Sequence, residues 1–137
     1  MRIDRHFLDT NVIAYAFDET EPRKQKIAQH LLEAHSGHFV VSTQVLIELY
    51  SVCVTKLGLT PAASSSIVAT AAGLDVVPTD RNLILDAVAL SGEEQLSVFD
   101  AAIVCAARRA ECDQILTEDA EIAAATGSIS VVDPFAV

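Results

Sequence analysis

No stretch of the 137-residue sequence approaches the roughly 18 consecutive apolar residues that would read as a membrane span. The opening, MRIDRHF, mixes charges of both signs and has neither an apolar stretch nor a cleavage signature, so no secretory leader is expected. There are only three cysteines, Cys53, Cys105 and Cys112, an odd number without metal-ligand spacing. That argues against a disulfide framework, and two of the three read as small core hydrophobes. Together these absences predict a cytoplasmic protein with no membrane association. Glycine is scarce as well, and LDTNVI has none of the glycines of a phosphate-cradling loop. No Gly-x-Ser-x-Gly nucleophile elbow occurs. The histidines His6, His30, His35 and His38 are scattered, and the serines from Ser64 to Ser66 sit in an Ala-rich helix as structural residues.

What remains is an apolar, acidic chain of one-domain size, read as a single domain over 1–137. Nineteen acidic residues against nine basic give a net charge of −10. Alone, that charge counts against a nucleic-acid partner, whose phosphates are also negative. It suits a protein that collects divalent cations or binds a basic peptide. The apolar excess hints at a buried oligomer or partner surface.

Short β-branched strands alternate with helices. The strand HFL is followed at once by a helix over 11–17, then a break at DETEP. A helix from Pro22 to about His35 follows, with Pro at its first position and Ile27, Leu31 and Leu32 at helical spacing. SGH is a turn before the strand FVVS. The helix from Thr43 to Leu57 places Leu46, Leu49, Tyr50, Cys53 and Leu57 on one face and ends at Gly58. Thr60 and Pro61 open a helix that Gly73 closes. The strand DVVP precedes a helix from Thr79 to about Leu90 and a turn around Gly92. A nearly uncharged helix covers 99–109, QILT is a strand, 119–125 a short helix, and ISVVD the last strand. The alternation predicts an α/β chain, a three-layer α/β/α sandwich with about five parallel strands and right-handed crossovers. Ligands of such sheets sit outside the carboxyl ends of the strands.

Four carboxylates attach to those ends. Asp9 follows the first strand, where it is either a helix N-cap or a ligand at the sheet edge. Glu48 lies mid-helix on the stripe Gln44, Glu48, Ser51, Thr55. It is either part of a solvated face or, one and a half turns past FVVS, a group hanging over the same edge. Asp100 is the only charge in LSVFDAAIVCAA, which reads as a buried helix. A buried carboxylate needs a partner or a metal, unless Ser97 and Asp100 form a capping box. Asp119 follows ILT, where the helix dipole also favours an acid, and Thr117 and Glu118 are possible stand-ins for it. In a parallel sheet the four converge, and a hard cation relieves their repulsion. Oxygen ligands alone suit Mg²⁺ or Mn²⁺ rather than zinc.

FLDTNV, STQVLIELYSV, LSVFDAAIVCAARRAECDQILTED and VVDPF, in this order and spacing, resemble the PIN domain, in particular the VapC-like toxins of toxin–antitoxin pairs. The resemblance covers essentially the whole chain. It implies a Rossmann-like sandwich and a metal-dependent endoribonuclease with one or two Mg²⁺ or Mn²⁺ ions. By position Asp9, Glu48, Asp100 and Asp119 match the family's catalytic quartet. Asp9, Asp100 and Asp119 are the expected metal ligands, and Glu48 is expected to position or deprotonate the attacking water. Asn11 and Thr117 match the flanking polar residues. RNA as substrate, a cognate antitoxin and a homodimer are implied partners, with the helices at 43–57 and 60–73 as clamp and dimer surface. Arg23, Lys24 and Lys26, or Arg108 and Arg109, either hold RNA backbone or are solvated helix faces.

Rival readings fit less well. A haloacid-dehalogenase-like phosphatase needs a second Asp two positions after Asp9, where Asn11 stands. A receiver-like module needs a Lys late in the chain, and Arg109 is the last basic residue. A PIN-like module that binds RNA or metal without cleavage is a third alternative, opposed by the intact quartet.

Overall fold

The computed structural model describes residues 4–34, 38–123, 127 and 129–136. Five parallel strands form one sheet: β1 (His6–Leu8), β2 (Phe39–Ser42), β3 (Asp75–Val77), β4 (Gln114–Leu116) and β5 (Ser130–Val132), in spatial order β3-β2-β1-β4-β5. The central strands are buried on both faces. Phe7, Leu8, Val40, Val41 and Ile115 have no exposed surface, whereas the edge strands β3 and β5 are partly open. This fits a parallel sheet covered by helices on both sides.

Helices α1 (Thr10–Ala14), α2 (Pro22–Ala34), α3 (Thr43–Thr55) and α4 (Pro61–Ala71) pack on one another. Helices α5 (Arg81–Glu94), α6 (Val98–Arg109) and α7 (Ala120–Ala123) make the second group. The chain moves from β1 through β2 to β3, returns past β1 to β4, and continues to β5. Right-handed crossovers then put the two helix groups on opposite faces, as the three-layer expectation requires. Buried Ala101, Ala102, Ala106 and Ala107 let α6 lie close to the sheet with Ile103 and Val104.

Several boundaries differ from expectation. The first helix begins at Thr10 and tightens into a 3₁₀ turn at Tyr15–Phe17. Gly92 is not a turn: α5 runs through it to Glu94 and stops at Gln95, which takes the left-handed conformation with φ 54°. Running on delivers Leu96 to the core. Tyr50 is exposed and Val45 takes the buried place on α3. Gly58, at φ +66°, follows α3 as expected. His35, most of the SGH turn and the end of the 119–125 helix lie outside the described residues. All three cysteines are free, with Cys53 and Cys112 buried. No helix among the described residues is long and apolar enough to cross a membrane.

Candidate metal centre

The register of β1 against β4 builds the centre. Leu8 lies opposite Leu116, and the Asp9 N–H donates to the Leu116 carbonyl at 3.1 Å. Asp9 and Thr117 therefore leave the sheet side by side, at the point where the strand order reverses. This is where a doubly wound sheet opens a crevice. Asp9 is the N-cap of α1, accepting from the Thr10 N–H at 2.7 Å on Oδ1, while its Oδ2 accepts from Thr117 Oγ1 at 2.7 Å. The cap and ligand readings are thus compatible, because each oxygen retains a lone pair.

Glu48 reaches the same crevice from α3. Its Oε2 accepts from Thr10 Oγ1 at 2.9 Å and its Oε1 from Gln44 Nε2 at 2.7 Å. Gln44 also donates to the Phe99 carbonyl, tying α3 to the start of α6. Gln44, Glu48 and Ser51 of the predicted polar stripe therefore build or brace one wall. Asp100 enters from α6, whose first turn is capped by Ser97 Oγ accepting from the Asp100 N–H at 3.1 Å. Here too the predicted cap forms, and the Asp100 carboxyl meets Asp119. Asp119 is held by Thr117, whose Oγ1 accepts from the Asp119 N–H at 2.9 Å.

All four predicted acids line one open cleft of about 470 Å³, together with Thr10, Asn11, Ser51, Val52, Phe99, Ile103, Thr117 and Glu118. Oxygens of Asp100, Asp119 and Glu121 lie within 4.8 Å of one another. Glu121 is the member not singled out from the sequence. It is exposed, and its N–H donates to Asp119 Oδ1 at 2.9 Å, so a local turn brings it in. Glu118 also lines the cleft, but both its oxygens are engaged, by Tyr15 Oη at 2.7 Å and Lys24 Nζ at 2.5 Å. These two bonds outweigh burial and hold its carboxyl below the usual range.

Electrostatics mark the site as unbalanced. Burial first, then the neighbouring Asp119 and Asp9, push the Asp100 carboxyl up to about 7. Burial also raises Asp9, assisted by Glu48 and Asp119 and opposed by its bonds from Thr117 and Thr10. A cluster of carboxylates in which Asp9 and Asp100 are costly to ionise, offering oxygen donors only, fits a hard divalent cation.

The PIN domain model matches residues 6–127. The chain belongs to the PIN domain family. No curated protein shows significant sequence similarity to it. Among solved structures, this PIN domain is similar to VapC20 of Mycobacterium tuberculosis, described as a toxin cleaving the sarcin–ricin loop. That match has 19% identity and a TM-score of 0.73, and covers 88% of this chain and 94% of that one. A toxin–antitoxin complex from Klebsiella pneumoniae matches at 20% identity and TM-score 0.72, covering 96% and 99%. FitAcB from Neisseria gonorrhoeae matches at 16% identity and TM-score 0.67, again covering 96% and 99%. At these identities the likeness concerns the fold.

Proposed function

We propose that this PIN domain is a metal-dependent endoribonuclease that hydrolyses RNA phosphodiesters, the cytoplasmic toxin of a toxin–antitoxin pair. The observation that carries the reading is the convergence of Asp9, Glu48, Asp100 and Asp119 on one cleft at the sheet's reversal point. Asp9, Asp100 and Asp119 would hold one or two Mg²⁺ or Mn²⁺ ions. When bound, such an ion supplies Lewis-acid stabilisation to the phosphodiester oxygens. Glu48, oriented by Gln44 and Thr10, positions the attacking water and accepts its proton. Thr117 fixes Asp9 and the Asp119 backbone at once.

An antitoxin partner is supported by the Klebsiella complex among the structural neighbours and by a groove of about 410 Å³. Ile13, Phe17, Leu32, Phe39, Ile67 and Leu74 line it, an apolar set suited to an amphipathic helix. A homodimer is supported by exposed Ile84, Leu85 and Val88 on α5, with Phe99 and with Ile47 on α3.

The test is cleavage of end-labelled structured RNAs by antitoxin-free protein in Mg²⁺, Mn²⁺ or EDTA, beside the Asp9→Asn, Asp100→Asn double variant. Discrete products are expected with metal only, and none from the folded variant. Equal cleavage by that variant would overturn the site, and no cleavage of any RNA in either metal would overturn the activity.

A further inference from the structure

In a chain with nine basic residues, two lysines stand beside the acidic cleft around one ring. Lys24 of α2 lies 4.8 Å from the Tyr15 ring centroid, and Lys56, the C-cap of α3, lies 5.9 Å from the same centroid. The T-shaped contact of Tyr15 with Phe135, at 4.9 Å, holds the ring. Lys24 reaches Glu118 on the cleft wall, and the Lys56 charge acts on that same carboxylate. Lys56 also follows Val52, another cleft residue, by one helical turn. An ammonium has three donors. Lys24 uses two, on Glu118 and on Tyr15 Oη at 3.3 Å, and keeps one. Lys56 is exposed and forms no salt bridge with a described carboxylate.

The other basic candidates are differently placed. Arg23 donates to the Phe135 carbonyl, Arg109 to Asp80 and the Pro78 carbonyl, and Lys26 borders an apolar hollow with Ile27 and Leu31. We propose that Lys24 and Lys56, held against Tyr15 beside Glu118, form the subsite that grips the RNA backbone next to the scissile phosphate. This rests on the endoribonuclease reading. It also answers how an acidic protein takes a polyanion: two cations and an aromatic ring, the combination that tracks single strands, meet at one wall of the cleft.

The test is fluorescence anisotropy in Mg²⁺ with a labelled 12-nucleotide single-stranded RNA carrying hydrolysis-resistant phosphorothioate linkages. Each Lys→Gln change at 24 or 56 is expected to weaken binding and flatten the log Kd against log salt slope by about 0.7. Lys24→Arg and Lys56→Arg restore the slope, while Lys26→Gln leaves it at the wild-type value. Lys56→Gln breaks no hydrogen bond described above, so it decides the matter should Lys24→Gln fail to fold. Wild-type slope in Lys56→Gln, from protein that still binds and cleaves RNA, overturns the subsite and leaves the nuclease intact. Wild-type protein that neither binds this RNA nor cleaves any RNA overturns both.

Discussion

Asp9 does two jobs, a cap for α1 and a place in the acidic cleft, while Asp100 reaches the same cleft from the helical turn that Ser97 caps. Sequence alone set those roles against each other, because a cap and a ligand ask for the same residue type after a strand. Thr117 could be named from its position after ILT. Its hydrogen bond to Asp9 could not, since that depends on a register between residues 108 apart. Glu121 went unselected because nothing in its spacing distinguishes it from a solvated acid. Thr117→Val, which keeps the shape and removes the hydroxyl, is expected to weaken Mn²⁺ binding by roughly 10–100-fold, read by calorimetry. Asp100 predicts a pH effect in metal-free protein. Its folded carboxyl titrates at about 7, above the ordinary 3.8, so the native state binds more protons than the unfolded one between those values. Its contribution to stability therefore falls as pH rises through that window. In EDTA the melting temperature is expected to drop from pH 5 to pH 7.5, less steeply in Asp100→Asn, and Mn²⁺ is expected to offset the drop. A flat profile in EDTA would contradict the crowding of charge described above.

Elements were readable where a local signal was strong and misread where one residue gave a signal its surroundings override. Thr60 and Pro61 open α4 as expected. Gly92 suggested a turn, yet the segment continues as helix because Leu90 and Leu96 on either side both reach the core. A Cβ at Gly92 would meet nothing within 4 Å. Gly92→Ala is therefore expected to stabilise the fold by about 0.4–1 kcal/mol, seen as a higher urea midpoint at unchanged slope. Ser97→Ala removes the cap of α6 and is expected to cost about 1 kcal/mol. Because that cap also steers Asp100, the variant should lose metal affinity along with stability. Loss of stability alone would separate the two roles.

For the whole molecule, alternation of strands and helices was enough to foresee a parallel sheet with its ligands at one edge. It carried no information on strand order, since nothing local says that β1 sits between β2 and β4. Convergence of the four acids therefore remained an inference from fold class until the register was known. Exposed apolar residues lie on α3 (Ile47, Tyr50), on α5 (Ile84, Leu85, Val88) and at the start of α6 (Val98, Phe99), so α5 joins the helices at 43–57 and 60–73 as a candidate dimer surface. Under the proposed homodimer, Leu85→Glu with Val88→Glu is expected to shift the protein from dimer to monomer in sedimentation, without loss of helicity. An unchanged mass would remove α5 from the interface.

The placement of β1 also reaches back to the making of the protein. Its partner β4 begins more than a hundred residues later, and Asp9 meets Thr117 and the neighbourhood of Asp119 only across that pairing. A growing chain carries Asp9 and Glu48 out of the ribosome long before Asp100 and Asp119 exist to complete the cluster. At ordinary elongation rates of about 5–20 residues per second, that interval lasts several seconds. Under the proposed ribonuclease activity, an unfinished copy lacks two of the four acids and is therefore expected not to cleave the ribosome and message that are producing it.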